Sequence, residues 1–160
     1  MQRITPFLWF DSNAEDAAKL YTSIFPNSRI VSTARYSDAG PGPKGSVMTV
    51  QFELSGLPFT ALNAGPQFKF NEAIAMQVNC ANQQEIDYYW EKLGAGGDPK
   101  AQQCGWLKDK YGLSWQVVPD NMDAIFGGGD AAGRERAMKV MLQMKKIDIA
   151  AMERARDGAA

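Results

Sequence analysis

From Val47 to Leu54 the chain alternates strictly: Met48, Val50, Phe52 and Leu54 are apolar, while Thr49, Gln51 and Glu53 are polar. A period of two predicts a strand with one face on an apolar core. Ser55-Gly56 then turns the chain and Pro58 to Asn63 runs back. Upstream, Ile4 to Phe10 reads as a strand. Ala17, Leu20, Tyr21 and Ile24 follow helical spacing, with Ser12 or Asn13 as cap and Ser12–Glu15 as a capping box. Arg29 to Tyr36 predicts a further strand. Ser37 to Gly45 is rich enough in Pro and Gly to predict a mobile loop, with Arg35 and Tyr36 placed to close over a ligand. Ala64 to Asn71 reads as a loop.

The second half repeats the theme. Ala73 to Asn79 reads as a strand, and Asn82 with Glu85 caps a helix whose apolar stripe is Ile86, Tyr89, Trp90 and Leu93. Gly94 to Gly97 ends it, and a short strand is expected near Lys100. Gln102 to Pro119 predicts a hairpin that turns at Asp109–Gly112, with Trp115, and Trp106 beside it, on the helix side. Beyond Pro119, Asp120 is read as the cap of a short helix through Phe126, and Gly127–Gly129 as its break. A helix follows over Arg134–Lys145, with Ala137, Met138, Met141 and Leu142 on one side. Asp148 caps a last helix, with Ile147 and Met152 as a hydrophobic staple. The methionines of this tail are read as core filling.

The two halves match. The helical stripes coincide at a constant offset of 69 residues, and the hairpin turns Gly56–Thr60 and Gly112–Gln116 coincide at 56. A longer loop at Ser37–Gly45 accounts for the difference. Each half therefore reads strand–helix–strand–strand–strand, a unit that cannot cover both faces of its own sheet.

Composition narrows the chemistry. The 160 residues suffice for one domain with a proper core. A net charge of −1 removes any electrostatic case for nucleic acid or an anionic membrane surface. The apolar runs are too short to span a bilayer, and MQRITPFLWF lacks the features of a signal peptide, so a soluble cytoplasmic protein is expected. There is no histidine, which excludes Ser-His-Asp and Cys-His machinery within the chain. Cys80 and Cys104 form no disulfide framework and are read as reduced, buried thiols.

The stretches ITPFLWFDSNAEDAAKLYTSIFPNS, VNCANQQEIDYYWEKL, QQCGWLKDKYGLSWQVVP and MLQMKKIDIAAMERA resemble the PhnB-like branch of the vicinal oxygen chelate superfamily. That superfamily includes glyoxalase I, bleomycin resistance proteins and extradiol dioxygenases. Members of the branch often bear the name 3-demethylubiquinone-9 3-methyltransferase. The resemblance runs from Ile4 to about Ala155. It implies an α+β fold in which two βαβββ modules form a cup-shaped mixed sheet with helices outside, plus C-terminal helices. The implied organisation is a single domain, with modules at 1–66 and 67–119 and a helical extension at 120–160.

Metal-dependent members of the superfamily place His and Glu ligands on the first and last strands of each half. The corresponding positions here are Phe7 or Trp9, Thr60, Ala75 or Gln77, and Gln116, none of them a strong ligand. No metal is therefore expected. No Gly-rich loop of the kind that holds a nucleotide-like methyl donor follows a first strand, so S-adenosylmethionine is expected only if the family name describes the activity.

Alternation then assigns the inward face: Phe7, Trp9, Gln51, Glu53, Thr60, Gln77, Ser114 and Gln116. Aromatic walls with neutral amides suit a small, partly polar organic molecule. Glu53 is a general base only if buried, Cys104 lacks an activating histidine, and Asp109 and Lys110 are turn residues. Three readings follow: a metal-free binding module, working as a homodimer; an enzyme, either a methyltransferase or a metal-dependent lyase, isomerase or dioxygenase; and an interaction protein that docks through its Met-rich tail.

Overall fold

The structure, a computed structural model, describes residues 2–128 and 130–159. The chain divides into two compact units, Met1–Phe70 and Asn71–Ala160.

The first unit contains β1 (Phe7–Phe10), α1 (Ala14–Ile24), β2 (Arg29–Arg35), β3 (Val47–Leu54) and β4 (Leu57–Asn63). Its four strands lie in the order β1-β4-β3-β2. The β1–β4 pair is parallel and the others are antiparallel, so the sheet is mixed. The alternation read from the sequence holds: Val50, Phe52 and Leu54 are buried, as are Leu8, Phe10, Phe59 and Ala61 on the same face. Against them lies α1, whose Ala14, Ala17 and Ala18 are fully buried. Alanine at these positions lets the helix approach closely while Tyr21 and Ile24 supply the bulk. Phe52 and Phe59 stack at 5.2 Å between ring centroids. Phe68 and Phe70 pack edge-on against Trp9 and Phe10, which keeps the chain in this unit through Phe70.

Two local expectations are corrected here. Neither Ser12 nor Asn13 caps α1 through its side chain: Asn13 holds the cap position without a side-chain bond. The Asn63 Oδ1, at the end of β4, accepts from Ala14 N at 2.8 Å instead. The Ser37–Gly45 segment, expected to be mobile, is folded around Tyr36. That ring is buried, and its hydroxyl donates to the Asn63 carbonyl at 2.5 Å. Gly40 and Gly42 lie so close to the ring that a Cβ would stand 2.6 and 2.4 Å from it. Arg35 donates to the Gly45 carbonyl. Both residues thus bond the segment to the rest of the unit.

The second unit contains β5 (Ala75–Cys80), α2 (Gln83–Gly94), β6 (Trp106–Lys108), β7 (Ser114–Pro119), α3 (Met122–Ile125), α4 (Ala131–Met141) and α5 (Ile149–Asp157). Its sheet is also mixed, in the order β5-β7-β6, with β5–β7 parallel and β6–β7 antiparallel. Asn82 caps α2 as expected, accepting from Glu85 N. The strand expected near Lys100 is instead a single 3₁₀ turn, Pro99–Ala101. Pro99 starts it and the Asp98 carboxylate accepts from Lys100 N, a local arrangement that competes with strand pairing.

β6 also starts later than expected. Cys104 and Gly105 both have positive φ, 49° and 83°, and form a tight turn between Gln103 and Trp106. Their N–H groups donate to the carbonyls of Met144 and Lys145 in the tail. This phasing puts Leu107 opposite Trp115 and Trp106 opposite Gln116. Trp106 therefore lies on the face away from Trp115, which corrects its assignment to the helix side.

The tail is built into this unit. Ile125, Ala137, Ile147 and Met152 are buried. Asp148 caps α5 as expected, and Ile147 and Met152 occupy the staple positions. Gln83 donates to the Ile147 carbonyl and accepts from Ile149 N. The cap of α3 is Asn121, not Asp120, whose N–H instead donates to the Cys80 carbonyl. Helix α4 begins three residues earlier than expected because Asp130 caps it. Met138 and Leu142 are exposed; the α4 residues buried within this unit are Gly133 and Ala137. Gly129 of the expected glycine break lies outside the described residues.

Candidate functional site

On the first sheet, the strand faces turned away from α1 bring together all five candidates expected there. Register pairs Phe7 with Thr60 and Thr60 with Gln51; Trp9 and Glu53 lie on the same face. A cleft of about 560 Å³ opens over Gln51, Glu53 and Thr60, with Gln2, Thr5 and Val31 at its rim. Phe7 is 60% exposed, whereas Trp9 is tied down: its indole N–H donates to the Gly65 carbonyl at 2.9 Å.

Two β2 residues that the sequence reading left out complete this face. Ser32 donates its hydroxyl hydrogen to Gln51 Oε1 at 3.1 Å. The Arg29 Nε stands 3.0 Å from Glu53 Oε2. The hydrogen bond to Glu53, and then its charge, raise the Arg29 pKa above its usual value. Glu53 is thus a paired carboxylate at the end of the cleft rather than an isolated base. Arg29 faces Glu53 in regular register, whereas Ser32 comes opposite Gln51 only because β2 is bulged between Ile30 and Ser32. A one-residue bulge reverses the facing of everything beyond it, so alternation alone does not reveal Ser32.

On the second sheet, Gln77, Ser114 and Gln116 also share one face, with Ala75 beside Ser114 and Gln77 beside Gln116. Across the hairpin, Lys108 pairs with Ser114 and Trp106 with Gln116. Both were missed, since β6 phasing depends on the Cys104–Gly105 turn. Gln77 donates to Asn79 Oδ1 at 2.7 Å. Lys108 forms an ion pair with Glu72, and that hydrogen bond lowers the Glu72 pKa below the usual carboxylate range. The Ser114 hydroxyl is buried and finds no partner among the described residues.

Elsewhere the titratable groups serve the fold. Asp109, 2% exposed, accepts from Tyr111 N, Leu113 N and the Trp115 indole. Burial, reinforced by Glu85 and Asp120, pushes the Cys80 thiol up to about 12. Cys104 is half-buried, not buried as expected, and its thiol donates to the Met141 carbonyl. A separate cavity of about 480 Å³ lies under the Tyr36 segment. Asp11, Glu15 and Asp16 give it a negative rim that disfavours anions.

The donor set does not fit a catalytic metal ion. The two faces offer amides, hydroxyls and aromatic rings, and their one candidate carboxylate is engaged by Arg29. Among the described residues, no group of three or more His, Cys, Asp or Glu side chains is placed to hold a metal ion.

A family profile described as 3-demethylubiquinone-9 3-methyltransferase matches residues 2–118. Among solved structures, the PhnB protein from Bacillus cereus, which carries the same methyltransferase name, is 39% identical. The match covers 74% of this chain and 99% of that one, with a TM-score of 0.65. PA1353 from Pseudomonas aeruginosa is 18% identical over 75% of this chain and 98% of its own, with a TM-score of 0.58. A mutant of the fosfomycin resistance protein FosX from Listeria monocytogenes, complexed with Mn(II) and 1S,2S-dihydroxypropylphosphonic acid, is 18% identical. It covers 78% of this chain and 98% of its own, with a TM-score of 0.52. The last two show a shared fold and nothing more. No curated protein sequence matches the chain. Since the profile takes in well over half of the chain, the protein belongs to the 3-demethylubiquinone-9 3-methyltransferase family, the PhnB-like branch of the vicinal oxygen chelate superfamily.

Proposed function

We propose that the protein binds a small, partly polar organic molecule on the open faces of its sheets, without a metal. The carrying observation is the cleft of about 560 Å³ over Gln51, Thr60 and Glu53, a volume in the range of small-molecule sites. Its polar groups are neutral except for the Arg29–Glu53 pair, so it offers hydrogen bonds rather than a net charge. Phe7 and Trp9 supply aromatic surface on the same face. Gln77, Ser114 and Gln116 form a second polar group with the same chemistry.

The test is a thermal-shift screen against small aromatic and hydroxylated compounds, repeated on a Gln51→Leu/Thr60→Val variant. A ligand at a hundredfold excess over its Kd stabilises by about 2.7 kcal/mol, a shift of several degrees. The wild type is expected to show such shifts and the variant to lose them. No stabilising compound, or equal shifts in both proteins, overturns the proposal.

The Mn(II) of the FosX complex does not transfer to this donor set. Titrating the protein with Mn(II) is expected to leave its melting temperature unchanged. The family name suggests methyl transfer, yet the β1–α1 connection, Asp11-Ser12-Asn13, contains no glycine to approach a nucleotide-like donor. Calorimetry with S-adenosylmethionine is expected to show no binding; binding with methyl transfer would establish the enzyme instead. A homodimer and a cytoplasmic location belong to the same reading. Exposed Ile4, Phe7 and Val31 leave apolar surface for a second copy. Sedimentation velocity and cell fractionation test these two points.

A further inference from the structure

The face of the second sheet opposite Trp115 carries two rows of side chains. One row runs Ala75, Ser114, Lys108; the next runs Gln77, Gln116, Trp106. Across the antiparallel β6–β7 pair, directly opposite residues have Cβ atoms about 4.5–5.5 Å apart, which sets Lys108 beside Ser114 and Trp106 beside Gln116. The first row has one small member, Ala75, one cation, Lys108, and one buried hydroxyl, Ser114, without a partner among the described residues. A buried polar atom that no protein group satisfies is costly, and a ligand atom can remove that cost. The cation is three-quarters buried, whereas Glu72, the carboxylate that neutralises it, is 66% exposed. Glu72 belongs to the turn before β5, not to the sheet. The second row adds two amides and the Trp106 side chain.

We infer that this face selects an aromatic carboxylate, with Lys108 taking the carboxylate in place of Glu72, Ser114 donating the hydrogen bond it lacks, and Trp106 packing on the ring. The inference rests on the binding reading above and deepens it by naming the ligand's charge. Glu72 is the internal stand-in for the ligand: it shows that Lys108 accepts a carboxylate and that the carboxylate arrives from the solvent side. A neutral amide of the same shape cannot replace it, because removing one partner leaves the Lys108 ammonium unpaired. Gln77 and Gln116 then discriminate among ring substituents, since each amide offers both a donor and an acceptor.

The probe pair is benzoate and benzamide, isosteric and differing by one charge. Binding is followed through the Trp106 indole N–H resonance, assigned with Trp106→Phe. Benzoate is expected to shift it saturably and benzamide to bind at least about tenfold more weakly, as the loss of a charge-assisted hydrogen bond implies. Lys108→Met is expected to abolish the preference. Glu72→Gln is expected to tighten benzoate about threefold to tenfold, because the internal competitor is gone. A purely structural Lys108–Glu72 pair predicts the opposite, no gain on removing Glu72. Ser114→Ala is expected to weaken benzoate while leaving the fold intact, since no protein partner is lost. Equal binding of benzoate and benzamide, absence of benzoate binding, or a Glu72→Gln protein that binds no tighter each overturns the inference. Failure of the general binding reading looks different: no compound of any charge stabilises the protein, and Gln51→Leu/Thr60→Val changes nothing.

Discussion

Asp109 holds three donors at once: the N–H groups of Tyr111 and Leu113 on Oδ1, and the Trp115 indole on Oδ2 at 2.8 Å. Replacing it with Ala strands all three in a buried turn. Asp109→Ala is expected to cost about 3 kcal/mol, and Asp109→Asn about half as much because one acceptor oxygen survives. Urea unfolding followed by Trp fluorescence measures both, and equal effects would contradict this division of roles. The sequence marked Asp109 as a turn residue correctly, but its bond to Trp115 is invisible there, since it depends on the side-chain geometry of a closed hairpin. Cys80 gives a pH signature. Its thiol is raised from 9.0 to about 12 in the folded protein, so folding retains a proton that the unfolded chain releases near pH 9. Stability from this group is complete below about pH 9 and is lost as the pH rises toward 12, at most by about 1.4 kcal/mol per pH unit. Cys80→Ala is expected to lower stability at pH 7 by about 1 kcal/mol through the small cavity it leaves, yet to fall less steeply than wild type between pH 9 and 10.5. Parallel alkaline limbs in the two proteins would refute that assignment.

At the scale of elements, the organising residue of the first unit is Asn63. Its Oδ1 caps α1, its Nδ2 donates to the Val47 carbonyl at the start of β3, and its own carbonyl accepts from Tyr36. Helix, sheet and the Tyr36 segment thus meet at one side chain. Asn63→Ala is expected to cost about 1–2 kcal/mol by loss of the cap and of the Val47 bond. Ser12→Ala, which removes the residue that sequence pattern favours, is expected to fall within about 0.5 kcal/mol of wild type. Thermal or urea unfolding of the two variants settles the cap, and the reverse order would restore Ser12 to the role. The contrast shows why some features could be read in advance and others could not. Strand faces, and the stripes of α1 and α2 apart from half-buried Leu20, Tyr89 and Trp90, were legible because period and burial are local properties of the chain. The Asn63 cap, the bulge that brings Ser32 onto the cleft face, and the outward turn of Trp106 were not. Each depends on a partner many residues away: Asn63 on Ala14, Ser32 on Gln51, and the Cys104–Gly105 turn on the Met144 and Lys145 carbonyls.

For the whole molecule, the decisive question is whether residues beyond Pro119 are an appendage or part of the fold. The second unit answers through its packing. Ile147 and Met152 are completely buried, and the carbonyls of Met144 and Lys145 receive the N–H groups that set the phase of β6. Arg156 reaches back to the Ala124 carbonyl at 3.0 Å, binding α5 to α3. Burying two such side chains contributes about 3–6 kcal/mol, a large share of the roughly 5–15 kcal/mol that holds a domain folded. Deleting Met138–Ala160 is therefore expected to abolish cooperative unfolding of the second unit and to expose apolar surface that drives aggregation. Aggregation alone is ambiguous, so point variants carry the argument. Met152→Ala is expected to cost about 2–5 kcal/mol, and Met138→Ala, on an exposed side chain, within about 0.5 kcal/mol. If the tail served mainly as a docking arm, the ranking would invert: Met138→Ala would weaken a partner and Met152→Ala would leave stability unchanged. Because the same tail carbonyls phase β6, Met152→Ala should also broaden the Trp106 indole resonance while leaving Trp9, in the other unit, unperturbed. That couples the helical extension to the face where Lys108 and Ser114 stand.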